Sequence, residues 1–250
     1  MTNSAIKSRT AVGLRRDDTR FALGKAMSEP VGIGGAAADH SGDTAAEVRG
    51  LVLAMLLAGL AGIVDAIGYL HLNGLFVSFM SGNSTQLAVA LGQGNLAQAG
   101  AIAGLIALFV LGAAAGQALA DFTGRWHMTW VLICVAILLA IGAIIGAAAE
   151  PMVFAMGAMN AAMRRAGSTP VSLTFVTGTL VRFGQGLADF LARRARGWIW
   201  SAQATPWLGM VVGATIGGAA YMQFGEAATW VPVGLAGLLA ACSAAILQPD

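Results

Sequence analysis

Phe79-Met80-Ser81-Gly82-Asn83-Ser84-Thr85-Gln86 is a short polar stretch inside an otherwise apolar region of the chain. A similar stretch follows 96 residues later, as Phe175-Val176-Thr177-Gly178-Thr179-Leu180-Val181-Arg182. A matching motif precedes each of them, Gly62-Ile63-Val64-Asp65-Ala66 and Gly157-Ala158-Met159-Asn160-Ala161, with an offset of 95 residues. Two matched signatures at nearly one offset indicate an internal duplication.

The composition places the chain in a membrane. Hydrophobic residues make up 57% and charged residues 10% of its 250 positions, with a mean hydropathy of +0.74. So little polar surface is typical of a protein whose partner is the lipid bilayer, and the long apolar runs are long enough for bilayer-spanning helices. The formal net charge of +2 comes without a basic stripe, which argues against a nucleic-acid partner.

The cysteines and histidines do not have the spacing of a metal or cofactor site. Cys134 and Cys242 both lie in apolar runs without a CxxC pattern, and His40, His71 and His127 are far apart in the sequence. Buried free cysteine is common in apolar cores. We therefore expect no metal, no cofactor and no disulfide.

Residues 1–48 differ in composition from the rest of the chain. They are rich in charged residues, contain a Gly/Ala/Asp-rich stretch from Gly32 to Asp43, and lack a helical apolar period. No apolar core follows the early basic residues, so they do not form a secretory signal peptide. We interpret them as a disordered cytoplasmic tail, followed by membrane repeats at 49–148 and 149–250.

The first spanning helix is predicted from Leu51 to Leu70, and it contains an acidic residue, Asp65. A carboxylate inside the bilayer costs about 2.5–3.5 kcal/mol on insertion scales, so it must face protein or water. Intramembrane acids are functional candidates by default. The structural alternative is an acid whose bonds to neighbouring groups serve only helix packing.

Two topologies are compatible with the apolar runs. In the first, the segments around the two polar stretches cross the membrane, which gives eight crossings. In the second, both segments are re-entrant half-helices that turn at Gly82 and Gly178. Full crossings are then left at 51–70, 98–120, 129–148, 151–165, 204–223 and 229–247.

The distribution of arginine favours the second topology. With six crossings and the tail in the cytoplasm, the cytoplasmic side carries Arg125, Arg164, Arg165, Arg193, Arg194 and Arg196. The outer loops then carry no Lys or Arg, as the positive-inside rule requires. Three crossings per repeat insert the second repeat upside down. The fold class predicted is an all-α membrane protein with six transmembrane helices and two re-entrant half-helices, an inverted 3+3 repeat in the bacterial inner membrane with both termini cytoplasmic.

The repeated polar stretches are the candidate binding site, because irregular backbone at membrane depth is tolerated only beside protein or a water-filled cavity. Half-helices that start near Asn83 and Thr179 would point backbone N–H groups at the midplane, where they could hold a solute. The candidate residues form equivalent pairs: Asp65 with Asn160, Ser81 with Thr177, Gly82 with Gly178, Asn83 with Thr179, and Gln86 with Arg182. In the alternative interpretation these groups satisfy one another, for instance through an ion pair between Asp65 and Arg182.

The paired motifs also resemble a known family, the YoaK-like bacterial membrane proteins of unknown function. The resemblance is carried by GIVDAIGYLHLNGLFVSFMSGNSTQLAVALGQGN from Gly62 and GAMNAAMRRAGSTPVSLTFVTGTLVRFGQG from Gly157, and it covers roughly residues 50–247. Ser81 stands where that family usually has Thr and keeps the hydroxyl. The resemblance implies a polytopic inner-membrane protein and no specific activity.

Two classes of function fit these features, and a third, an enzyme, fits them poorly. The leading hypothesis is a transporter or channel for a small solute or ion, and the alternative is a non-transporting scaffold or partner subunit. An enzyme is not expected, because no nucleophile–base pair, metal cluster or phosphate loop is present in the sequence. Small-residue faces, such as those at Gly112, Gly116, Gly142, Gly146, Gly209, Gly213 and Gly217, suit internal helix packing, and a homo-oligomer stays an alternative use for them.

The six-crossing topology predicts which loops are accessible from outside the cell. On a background without Cys134 and Cys242, a membrane-impermeant thiol reagent added to intact cells is expected to label Asn95→Cys, and not Arg165→Cys or Arg196→Cys. Labelling at position 165 without labelling at position 95 would contradict this topology and require eight crossings.

Overall fold

The computed structural model describes residues 40–163, 176–194 and 199–246. The chain divides into two compact units, Met1–Ser41 and Gly42–Asp250, and the fold below is that of the second. The predicted tail up to residue 39, and Arg164, Arg165 and Arg196, lie outside the described residues.

Every regular element in these ranges is a helix, which confirms the predicted all-helical class. Short 3-10 turns join some of the helices, at Gly124–Trp126, Ile199–Ala204 and Gly225–Thr229. The α-helices are α1 (His40–His71), α2 (Met80–Gly92), α3 (Leu96–Thr123), α4 (His127–Ile144), α5 (Ala149–Met163), α6 (Val176–Leu191), α7 (Thr205–Phe224) and α8 (Trp230–Ile246).

Among the described residues, three helical stretches are long and apolar enough to cross a membrane: Val48–His71, Leu96–Ile144 and Ser201–Ala245. The second contains α3 and α4, and the third contains α7 and α8. The helices α2 and α6 have 13 and 16 residues and lie outside these stretches. At 1.5 Å per residue, α2 is about 20 Å long, shorter than the roughly 30 Å hydrocarbon core.

Some helix ends differ from the prediction. Helix α1 begins at His40, inside the predicted tail, because a helix extends at low cost once it is nucleated. Helices α2 and α6 begin at Met80 and Val176, three residues before the predicted starts, so Gly82 and Gly178 lie within helices and the turns predicted there are wrong. Helix α4 ends at Ile144, because Gly146 and Ala147 take left-handed conformations with φ of 75° and 60°.

Helices α1 and α7 approach so closely that their backbones touch. A Cβ atom built on Gly213 would lie 2.7 Å from the Cα of Gly59, and one on Gly217 would lie 2.8 Å from the Cα of Ile63. One turn earlier, a Cβ on Gly209 would overlap the carbonyl oxygen of Met55. Because the contacts advance in the same direction along both helices, α1 and α7 run parallel.

Helices α3 and α5 cross in the same way. A Cβ atom on Gly112 would lie 2.9 Å from the carbonyl carbon of Phe154, and one on Gly116 would lie 2.8 Å from that of Ala158. From the other side, a Cβ on Gly157 would lie 2.9 Å from the amide nitrogen of Ala113. These two helices also run parallel.

The two crossings use the same register. Gly59 of α1 faces Gly213 of α7, and in the same way Phe154 of α5 faces Gly112 of α3. A Cβ atom on Gly62 would lie 2.9 Å from the Ala214 amide nitrogen, which repeats the contact of Gly157 with Ala113. The residue numbers differ by 95 between α1 and α5 and by 101 between α3 and α7. Each crossing therefore joins a helix from one half of the chain to a helix from the other.

Helices α4 and α8 pack side by side in opposite directions. Near the start of α4, the Thr129 hydroxyl lies 2.9 Å from the Ser243 hydroxyl near the end of α8. Past the end of α4, a Cβ atom on Gly146 would lie 3.6 Å from a carboxylate oxygen of Glu226, which precedes α8. Contacts at both ends define an antiparallel pair.

The glycine crossings predict a selective sensitivity to one added methyl group. Gly213→Ala and Gly112→Ala are each expected to lower the stability of the folded protein by about 1–3 kcal/mol, because the methyl overlaps backbone that cannot give way. Gly104→Ala on α3 is the matched control, since a Cβ there meets nothing within 4 Å. Thermal unfolding in detergent, followed by size-exclusion chromatography, measures the difference. Equal stability of all three variants would refute the close crossings.

Candidate functional site

Asp65 is buried on α1, with 4% of its surface exposed, and it holds the loop that leads into α2. One carboxylate oxygen accepts hydrogen bonds from the backbone N–H groups of Val77 at 2.8 Å and Ser78 at 2.6 Å. The other accepts a hydrogen bond from the Ser78 hydroxyl at 2.6 Å. Three hydrogen bonds from the loop to one buried side chain fix the loop to α1.

Two residues of α2 hold the same loop from its other side. The Asn83 side chain, fully buried, accepts from the Phe76 N–H at 2.9 Å and donates to the Phe76 carbonyl at 2.7 Å. The Gln86 amide donates to the Gly74 carbonyl at 2.6 Å. These bonds satisfy buried backbone groups that no helix or strand satisfies.

Gly82 allows the loop to fold back over the start of α2. A Cβ atom at this position would lie 2.7 Å from the Phe79 ring and 3.0 Å from the Phe76 ring. The two rings meet edge to face with centroids 5.4 Å apart. A side chain larger than hydrogen would therefore displace the aromatic cover of the loop.

The structure thus brings Asp65, Asn83 and Gln86 together around loop 72–79. Gly82 is half-buried beneath the aromatic pair, and Ser81 is exposed. The backbone N–H groups of Val77 and Ser78, just before α2, are occupied by the protein's own carboxylate. A direct contact of Asp65 with a solute stays a prediction.

The second copy differs at the position equivalent to Asp65. Asn160 is buried, with 8% of its surface exposed, and its amide nitrogen donates to the Met156 carbonyl at 2.9 Å. Its carbonyl oxygen has no hydrogen-bond partner in the part of the chain that is described. Residues 164–175, which precede α6, lie outside that part. The counterpart of the Asp65 contacts is therefore not described.

The remaining candidates line the start of α6. Thr179 is buried, Gly178 is half-buried and Thr177 is exposed. Arg182 is exposed to the surroundings. The ion pair between Asp65 and Arg182 considered above is not formed within the described ranges, because the Asp65 oxygens bind the loop instead.

Sequence reasoning missed the contribution of Ser78. It is buried, and its N–H and hydroxyl both bind Asp65. The signal was available in principle, because Ser78 is a hydroxyl residue just before the repeated stretch and its equivalent, Thr174, also carries a hydroxyl. Groups of three or more His, Cys, Asp or Glu residues that would suit a metal ion are absent from the described ranges.

Comparisons with known proteins place these features in a family context. Residues 53–242 match a family model described as "Protein of unknown function (DUF1275)". A UPF0700 transmembrane protein from Rhizobium meliloti (strain 1021) is 43% identical over 199 residues, which cover 78% of this chain and 86% of that protein. No solved structure matches the chain.

The contacts of Asp65 predict a graded response to substitution. Asp65→Leu leaves three buried donors without an acceptor and is expected to cost at least about 3 kcal/mol of stability. Asp65→Asn keeps one acceptor oxygen and the shape, so we expect a smaller loss. Glu150→Gln, at an exposed acid, is the control. Thermal unfolding in detergent gives the order, and an Asp65→Leu protein as stable as the wild type would refute the role in holding the loop.

Proposed function

This chain belongs to the DUF1275 family of proteins of unknown function, and we propose that it is a transporter or channel for small solutes or ions. Membership agrees with the resemblance to an uncharacterised membrane-protein family seen in the paired motifs. The proposal includes an inverted 3+3 repeat in the bacterial inner membrane, with six crossings, two re-entrant half-helices and both termini cytoplasmic. The solute site lies where the two halves meet.

The directions of the packed helices support six crossings. Between α4 and α8 the chain passes through α5, α6 and α7, so these helices run in opposite directions only if α6 does not cross. Because α1 and α7 run parallel, either both α2 and α6 cross the membrane or neither does. Both observations together favour two re-entrant half-helices.

The register of the glycine crossings supports the duplication. A helix from each half meets a helix from the other half, at equivalent residues and with equivalent close approaches. Two copies related by an axis in the membrane plane would pack in this reciprocal way. The antiparallel pair of α4 and α8, which are themselves equivalent, suits a position beside such an axis.

The observation that carries the transport proposal is the irregular backbone of loop 72–79, which is tied to a buried carboxylate inside an apolar helix bundle. Non-helical backbone at membrane depth occurs where it is buried in protein or lines a cavity. Inverted-repeat transporters place their substrate beside such broken helices. Loop 72–79 supplies the irregular backbone, and α2, which follows it, is too short to cross.

The second candidate function, a scaffold or partner subunit, is favoured by one observation. A Cβ atom on Gly92, Gly100 or Gly104 meets nothing within 4 Å, so part of α2 and α3 presents small residues to the outside. Such faces allow another helix to approach closely in lipid. The partner that this alternative requires is a co-purifying protein, either another membrane protein or a second copy of the chain.

The transport proposal is tested in liposomes with the purified protein. We expect at least one of a panel of small neutral, anionic and cationic solutes to cross faster than in protein-free liposomes, measured by light scattering after an osmotic jump. On a background without Cys134 and Cys242, a charged thiol reagent should block this flux in Ser81→Cys and Thr177→Cys, both exposed positions. Gln203→Cys, also exposed but outside the site, is the control.

Failure of every solute to cross would overturn the proposal. Equal loss of flux in Gln203→Cys would overturn the assignment of the pathway to the repeated stretches. A stable dimer that disappears in Gly104→Leu, without any flux in the wild type, would favour the scaffold.

A further inference from the structure

We infer that the solute is a small anion with carboxylate-like or phosphate-like oxygens, and that Arg182 is the residue that holds it. This inference rests on the proposed transport function and deepens it. It starts from the two charged members of the candidate site, Asp65 and Arg182. In the sequence alone, one acid and one base leave the charge preference for the solute open.

Asp65 contributes no charge that a solute can reach. Its carboxylate is almost fully buried, and both oxygens accept hydrogen bonds from loop 72–79. A cation would have to displace the Ser78 hydroxyl and break the loop to reach it. The negative charge of the first half is therefore used within the fold.

Arg182 is accessible, in contrast to its equivalent in the first half. Gln86 is half-buried and bound to the Gly74 carbonyl, whereas Arg182 is exposed and makes no ion pair within residues 40–163, 176–194 and 199–246. A guanidinium group that faces hydrocarbon is expensive, so a charged side chain on a half-helix of a membrane protein faces water or a polar ligand. The charge accessible to a solute is positive.

The exposed stripe on α6 and the residues just past its end carry a net positive charge. Gln185 and Asp189 follow Arg182 at three and seven positions, on the same side of the helix, and both are exposed. The carboxylate of Asp189 lies 4.0 Å from the Arg194 guanidinium. Because Arg193 is also exposed, the stripe and its end carry more positive than negative charge.

The end of α6 is built to keep these arginines in place. The backbone N–H of Arg194 donates to the backbone carbonyl of Asp189 at 2.9 Å, and the backbone N–H of Arg193 donates to that of Phe190 at 3.0 Å. Arg193 has a left-handed conformation with φ of 56°. This is the hydrogen-bond pattern of a Schellman helix end. With Arg194 paired to Asp189, Arg193 is the cation at this end of α6 that would attract anions.

The chemistry of the guanidinium narrows the class of anion. Its five N–H donors lie in one plane and match two oxygens of a carboxylate or phosphate group. A small carboxylate or inorganic phosphate fits this donor pattern, whereas a metal cation is repelled by the same charge.

The test measures uptake of radiolabelled lactate, inorganic phosphate and rubidium into phosphatidylcholine liposomes that contain the full chain. We expect lactate or phosphate to enter at least tenfold faster than rubidium. Arg182→Gln, which installs the residue of the first half, should lower anion uptake at least tenfold, while Arg182→Lys retains part of it. Arg125→Gln, at a cation that lies 5.3 Å from the Trp126 ring, is the control and should transport like the wild type.

Each of the other outcomes overturns one defined part of the two proposals, either the anion assignment or transport itself. Rubidium uptake without anion uptake, or anion uptake unchanged in Arg182→Gln, overturns the anion assignment and leaves transport standing. If none of the three solutes enters, but a solute of the osmotic panel crosses, only the anion assignment fails. If no solute crosses in either assay, the transport proposal itself fails. All variants must elute like the wild type in size-exclusion chromatography.

Discussion

The fold depends on backbone-to-backbone contact between helices from opposite halves of the chain. In lipid, apolar side chains gain nothing by leaving hydrocarbon, so helices associate through dispersion contacts and hydrogen bonds that need close approach. Gly59, Gly62 and Gly157 provide that approach for α1 and α5, and Gly112 and Gly213 provide it for α3 and α7. Side chains at these positions would separate the halves and leave loop 72–79 without its surroundings.

A second constraint follows from the loop itself. Buried non-helical backbone must find partners for its N–H and C=O groups, and Asp65, Asn83 and Gln86 supply three side chains for that purpose. The first half of the chain therefore uses its charged group to fix its own backbone. The second half has Asn160 in that place and carries its accessible charge on Arg182. The two similar segments therefore differ in their chemistry.

The positions of the helices were predictable from the sequence, because apolar length and the two repeated motifs are local signals. Helix α2 began three residues early, since the fold of Met80–Gly82 depends on a loop held from α1 and not on local propensity. The hydroxyls of Ser78 and its equivalent Thr174 were a signal in the sequence, but the pairing of Ser78 with Asp65 depends on an aperiodic loop that local patterns do not predict. The glycine motifs predicted close packing, but a GxxxG pattern does not specify its partner, and only the structure paired Gly112 with Phe154 and Gly213 with Gly59.

The packing of helices from one half of the chain against helices from the other half also affects biosynthesis. Helix α1 leaves the ribosome early, yet the helix it packs against, α7, is about 150 residues further along the chain. At synthesis rates of about 5–20 residues per second, α1 waits roughly 8–30 s for that partner. During this time its glycine face lies open to other newly inserted helices. A chain stopped after its first half would be left with α1 and α3 unpaired, a natural target for membrane quality control.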